Sequence, residues 1–392
     1  MSKLSSFGFG LILPLIAFAC SDRDRSPVIT GDGFVDDGAV DGDLVDGGAG
    51  NGGSVDADAV DVGSDGRIDD GGSTFGDAGG VGVDEPCECR QPPADPVGPP
   101  GDGHDVVFAI NKLFLGDTDR KGKSDLNAWK SYGYNLDGYR TTSPSTKLCR
   151  PRGYAPPTIH DDGDDGIDNA FGQHVLPAVT AIFSKPTSAF TDAIADGGYT
   201  LILLLRDLGT GANYSGISAV AYRGAPLGTA PKWDGTQEWP IRYESLVDGD
   251  IEMPRHELDD SYVANRTWVG KADLITLDTP LGALPIRQAV ITMDLEPDNS
   301  GAVNGTIAGV LEVNKFQDAI IQGISGEVLC RGDLHLVQKL MDQVVGAADM
   351  LVGEAQDPDK LCNGVSIGIG FEAKPVLIGA VADPRPNRGD EC

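Results

Sequence analysis

The densest chemistry in the chain is the segment His160-Asp161-Asp162-Gly163-Asp164-Asp165-Gly166-Ile167-Asp168-Asn169. Carboxylates crowded into a glycine-containing loop supply the hard oxygen ligands that calcium takes, and such crowding is costly unless a cation or water screens it. Against an EF-hand loop starting at Asp161, the residues Asp165, Gly166 and Asn169 fit. Gly163 replaces a ligand, however, and Gly172 stands where the bidentate glutamate belongs. The expectation is a looser calcium loop using some of Asp161, Asp162, Asp164, Asp165 and Asp168. The competing reading is a solvated acidic loop in which Asp168 or Asn169 caps a helix starting near Ala170. In a second acidic phrase, Asp117-Thr118-Asp119-Arg120-Lys121-Gly122, Lys121 sits at a would-be ligand position, which argues against a metal. A third, Asp294-Leu295-Glu296-Pro297-Asp298, reads as turn chemistry ahead of a hairpin.

Other reactive patterns are weaker. Gly364-Val365-Ser366-Ile367-Gly368 matches a nucleophile elbow, yet it continues as a glycine-alternating strand, and the last histidine is His335, so no base follows the serine. The histidines show no metal-ligand spacing, and only His160 has suggestive neighbours. Trp233-Asp234-Gly235-Thr236-Gln237-Glu238-Trp239 places two indoles in a polar, turn-rich stretch, the setting in which exposed rings stack sugars. Trp233 and Trp239 are therefore candidate carbohydrate contacts, with core anchoring as the alternative.

The elements that must position these groups are mostly strands. Asp105–Leu115, Tyr199–Asp207, Ile217–Arg223, Tyr262–Val269, Asp273–Asp278, Ile286–Leu295, Thr306–Val313, Gly364–Phe371 and Val376–Val381 are apolar or alternating runs. Turn phrases such as Gly211-Ala212-Asn213, Thr279-Pro280 and Asp298-Asn299-Ser300-Gly301 separate several of them. Helical spacing predicts Phe171–Phe183, continued by Thr187–Ala195, and a later helix from an Asp333 cap to about Leu351. The expected fold is mainly β, a β-sandwich or jelly-roll-like body with two helical insertions.

That body begins at Cys87. Residues 1–19 carry Lys3, an apolar run from Phe7 to Phe18 and small residues at Ala17 and Ala19, the pattern of an export signal cut before Cys20. The run is too short for a bilayer, which needs about 20 apolar residues. Of the seven cysteines, lipidation of Cys20 leaves Cys87, Cys89, Cys149, Cys330, Cys362 and Cys392, an even set able to form disulfides in an oxidising compartment. Cys330–Cys362 is the preferred pair because it brackets the late helix. Cys87 and Cys89 are too close to be expected to bond each other, and Cys392 is expected to clamp back onto one of them. Residues 20–86 repeat Gly, Asp, Val and Ala and cannot bury enough apolar surface to offset their ordering entropy, so they read as a disordered tether. Of the formal charge of −30, about −17 falls on residues 87–392, which disfavours nucleic acid and anionic lipid surfaces as partners.

The export signal, the Gly/Asp tether, Asp164-Asp165-Gly166-Ile167-Asp168-Asn169-Ala170-Phe171-Gly172 and Cys362-Asn363-Gly364-Val365-Ser366-Ile367-Gly368-Ile369-Gly370-Phe371 together resemble uncharacterised surface lipoproteins of myxobacterial type. The resemblance implies attachment to the outer membrane or cell surface through a lipid anchor, and it carries over no activity. The expectation is a surface lipoprotein with a binding or structural role, calcium-assisted, with a carbohydrate or protein ligand. The alternative is a secreted hydrolase using the dispersed groups His160, Asp161, Asp165 and Glu238.

Overall fold

The computed structural model describes residues 87–101, 103–142, 145–152, 159–324 and 334–385. The export signal, Cys20, the tether, Cys330, Asp333 and Cys392 lie outside the described residues.

The body is mainly β, as the patterning predicts. Strands β1 (His104–Phe114), β2 (Thr200–Leu208) and β3 (Tyr214–Gly224) are followed by the short β4 (Glu238–Ile241), β5 (Leu246–Val247) and β6 (Asp250–Pro254). Then come β7 (Glu257–Ala264), β8 (Thr267–Thr279), β9 (Gly282–Leu295), β10 (Ala302–Glu312), β11 (Gly364–Pro375) and β12 (Leu377–Val381). In ring order β1-β2-β3-β7-β8-β9-β10-β11, every neighbouring pair is antiparallel, and β11 returns to β1. This is an up-and-down meander in chain order, interrupted only by insertions. Closure satisfies backbone groups that an open sheet would leave at its edges.

The ring is filled by apolar side chains. Leu203, Ala221, Leu258, Ile275, Ile291, Ile307 and Ile369 belong to one buried cluster. β2 reads as an almost unbroken apolar run because both its faces are covered. Leu201, Leu203 and Leu205 join that cluster, while Ile202 and Leu204 pack with Val220, Tyr222, Trp239 and Ile241 in a second one. β8 and β9 expose Lys271, Asp273 and Arg287, the reverse of the apolar exterior of a membrane-spanning barrel. No helix among the described residues is long and apolar enough to cross a membrane.

Two insertions carry the helices, near the expected places. The β1–β2 insertion contains a five-residue π-type turn, Phe171–Val175, running into α1 (Leu176–Val179), and then α2 (Pro186–Ala195). The helix predicted over Phe171–Phe183 thus stops early. Pro177 cannot donate to the turn before it, and the widened turn absorbs the missing bond. The β10–β11 insertion holds α3 (Val313–Ile324) and α4 (Leu334–Gly346). α3 is absent from the sequence expectation, because it follows β10 with no breaker between Glu312 and Val313. The strand expected over Tyr262–Val269 is instead a hairpin, turning at Asn265 and Arg266, both with positive φ.

The disulfides also differ from expectation. Cys362 bonds Cys149, not a cysteine bracketing α4, and so joins the two insertions across 213 residues of sequence. Cys87 and Cys89 are bonded to each other. Spacing misled in both cases: a disulfide needs Cα atoms within about 7 Å in space, and these pairs lie 5.1 and 5.0 Å apart.

Candidate functional site

Both insertions contribute to one small acidic cavity. Asp137, Asp162, Asp168 and Asp349 line it, together with Thr141, His160 and the Cys149–Cys362 disulfide. The internal space is about 20 Å³, room for one water or one ion and nothing larger. Among the described residues, no lysine or arginine lines it.

Backbone amides hold each carboxylate. Asp168, 3% exposed, accepts from the amides of Leu136 at 2.5 Å and Asp137 at 3.3 Å through Oδ2, and its own amide donates to Tyr134 O at 3.1 Å. Asp162 accepts from Thr141 N at 2.6 Å. Asp137 accepts from Tyr139 N at 2.8 Å. Asp349 arrives from beyond α4 and accepts from Ser366 N at 2.8 Å and Ser366 Oγ at 2.5 Å. It keeps some surface open to the cavity, though protein surrounds it.

Asn169, next to Asp168, fixes this loop to the barrel. Its Nδ2 donates to the carbonyls of Trp129, Tyr132 and Gly368 at 2.9–3.1 Å, and its Oδ1 accepts from Gly172 N and Gly368 N at 3.0 Å. Gly368 is required here, since a Cβ would lie 2.2 Å from Tyr132 O. Ser366 also has a structural role: it is wholly buried and its Oγ accepts from Ala170 N at 2.8 Å while donating to Asp349. The nucleophile-elbow pattern is therefore a strand whose small residues let the loop approach.

Burial and mutual repulsion raise the carboxyls. Burial is the larger cause throughout. It pushes Asp137 up to about 6, Asp349 up to about 7 with the Asp137 charge adding, and Asp162 up to about 8 with Asp137 and Asp349 adding. Asp168 is held well above the ordinary carboxylate range by burial and by all three neighbours. His160 bonds Gly346 O at 2.8 Å through Nε2, and its ring lies 3.9 Å from that of His174. Burial, then the His160 charge, lowers His174 to about 4.

Of the residues expected to bind calcium, Asp162 and Asp168 thus meet at the cavity. Asp161, Asp164 and Asp165 are exposed and do not line it. Asp165 sits at positive φ in a single 3-10 turn, which directs the loop away from the EF-hand course. Asp137 and Asp349 were not legible, because each is an isolated aspartate brought in by a different insertion. Among the described residues, no group of three or more His, Cys, Asp or Glu side chains has metal-site geometry as it stands.

The remaining candidates separate. Trp239 is wholly buried and donates to Ala225 O at 2.8 Å, so it is a core anchor and not a sugar platform. Trp233 is half-buried against it, with ring centroids 5.5 Å apart. Asp161, Asp165 and Glu238 are exposed and line none of the four principal clefts, so the residues of the hydrolase alternative are not gathered. Asp117 accepts from Thr187 N and Oγ1 at the start of α2, and Asp119 accepts from the amides of Lys121 and Lys123 in a turn. Comparison with protein-family models, with curated proteins and with solved structures finds no match.

Proposed function

We propose that the chain is a cell-surface lipoprotein with a binding role, in which a calcium ion held by Asp137, Asp162, Asp168 and Asp349 clamps the two insertions of the barrel together. One observation carries this reading: four carboxylates from both insertions line an ion-sized space with no lysine or arginine among its described lining residues. Uncompensated buried carboxylates either take up protons or take a cation, and oxygen-only donors suit calcium over softer metals. The cavity has no room for a scissile bond beside the aspartates, which favours a structural ion over acid–base catalysis. Lipid attachment at Cys20 rests on the signal pattern and on cysteine parity.

The test is a thermal melt of the purified full chain at pH 8, with millimolar calcium, with magnesium and with chelator. An ion bound only by the native state raises the midpoint. Calcium should raise it and magnesium should do so less, and the Asp168→Asn variant should lose most of the calcium shift. Identical midpoints with calcium and chelator would end the proposal.

A further inference from the structure

A second site lies at one rim of the barrel, where β2 begins, β3 ends and β8 turns into β9. There the ring splits. β3 pairs with β7 only as far as Val220, and its last residue, Gly224, pairs with Ile241 of β4 instead. The gap is filled by a buried ionic cluster. Arg223 and Asp278 form a bidentate pair through Nε at 3.1 Å and Nη2, Arg242 Nε donates to Asp278 Oδ2 at 2.6 Å, and Arg385 Nη2 reaches Oδ1 at 3.4 Å. Burial opposes the Asp278 charge, but the three arginines hold its carboxyl below the ordinary range.

The cluster forms part of the wall of a cleft of about 870 Å³, the size of a small-molecule pocket and at the mouth of a barrel, where such pockets occur. Arg242 is only 8% exposed. Its Nε is committed to Asp278, while no described hydrogen bond uses its two terminal nitrogens. Arg242 belongs to the cleft wall, and a guanidinium there is a ready donor to an anionic ligand. Arg385, exposed, stands on the same wall and donates its backbone amide to Glu244 at 2.9 Å. Tyr199, Pro226, Pro280 and Ala283 supply less polar surface.

We infer that this cleft binds an organic carboxylate with an apolar body, its carboxylate held by the terminal nitrogens of Arg242 and by Arg385. A planar carboxylate matches the fork of a guanidinium. Glu244 and Asp383, also on the wall, disfavour a more highly charged phosphate.

The test titrates the full chain with a dansyl-labelled fatty acid, its uncharged methyl ester and the corresponding alkyl phosphate, read by dansyl emission. The acid should bind saturably, and the ester and the phosphate each about tenfold or more weaker, as expected for loss or mismatch of a charge-assisted hydrogen bond. Arg385→Met should weaken the acid and leave the ester unchanged. Arg242 belongs to the buried cluster, so Ala283→Phe provides the second variant: it narrows the cleft without touching an arginine and should weaken acid and ester alike. Equal affinity for acid and ester, tighter binding of the phosphate, or unchanged acid affinity in both variants would overturn the assignment.

Discussion

At the residue scale, the four cavity aspartates and His174 give opposite responses to pH. An aspartate whose folded pKa is raised binds more protons folded than unfolded, so its contribution is complete below the unfolded value near 3.9 and is lost as pH rises through the folded one. With Asp137 at about 6, Asp349 at about 7 and Asp162 at about 8, the chelated protein should lose stability as pH rises from about 4 to about 8. His174, lowered to about 4, acts the other way: the unfolded chain gains its proton first, so stability falls as pH drops from 6.5 towards 4. Melts in chelator should therefore show a midpoint that declines on the alkaline side, and saturating calcium should flatten that decline. Asp162→Asn sharpens the test. It keeps an acceptor for Thr141 N and removes one buried charge, so in chelator at pH 8 its midpoint should rise by a few degrees while its calcium response shrinks. A lower midpoint in chelator would show that Asp162 is needed for its hydrogen bonds and not burdened by its charge. Of this group only Asp162 and Asp168 could be picked out from sequence, because they belong to an acidic run. A lone aspartate such as Asp349 carries no local mark of where its loop will take it.

At the element scale, the insertions are fastened by side chains whose partners are distant in sequence. α2 begins after Lys185, which makes no side-chain capping bond, and Asp117 from the β1 side accepts from Thr187 instead. Asp117→Ala should cost about 1 kcal/mol, the usual worth of a helix cap, seen as a lower denaturant midpoint with unchanged slope. Asn169 has a larger role. Five hydrogen bonds join it to the β1–β2 insertion and to β11, all in buried surroundings. Asn169→Ala should cost about 3 kcal/mol or more, because several buried backbone groups lose their partners together. A loss near 1 kcal/mol would mean that water replaces the amide. Strands with strong apolar runs, β1, β2, β9 and β10, were legible because a half- or fully buried strand must carry that pattern. The β7–β8 hairpin was not, since Asn265-Arg266 takes positive φ without the glycine that signals such a turn. α3 escaped for the same kind of reason: its apolar face continues that of β10, and composition does not mark the change of period.

At the scale of the whole molecule, mainly β character follows from composition and spacing, but closure of the sheet does not. The β3–β7 pairing spans three short strands, and nothing local in either strand specifies its partner. The Cys149–Cys362 bond has the same long-range character. It joins the two insertions and lines the acidic cavity, so one bond both shortens the unfolded chain's freedom and fixes the distance between Asp349 and the aspartates of the other insertion. In the chain-entropy account, a cross-link spanning 213 residues contributes about 5 kcal/mol. A Cys149→Ala/Cys362→Ala double variant, which leaves Cys87–Cys89 intact, should therefore unfold at a markedly lower denaturant concentration. It should also bind calcium less tightly, because ordering the two insertions around the ion now has to come from the binding energy itself. Calcium titrations of the intact and double-variant proteins, each followed by its melting midpoint, separate the two effects. A lower midpoint with an unchanged calcium response would show that the barrel alone orders the cavity and that the disulfide only stabilises the fold.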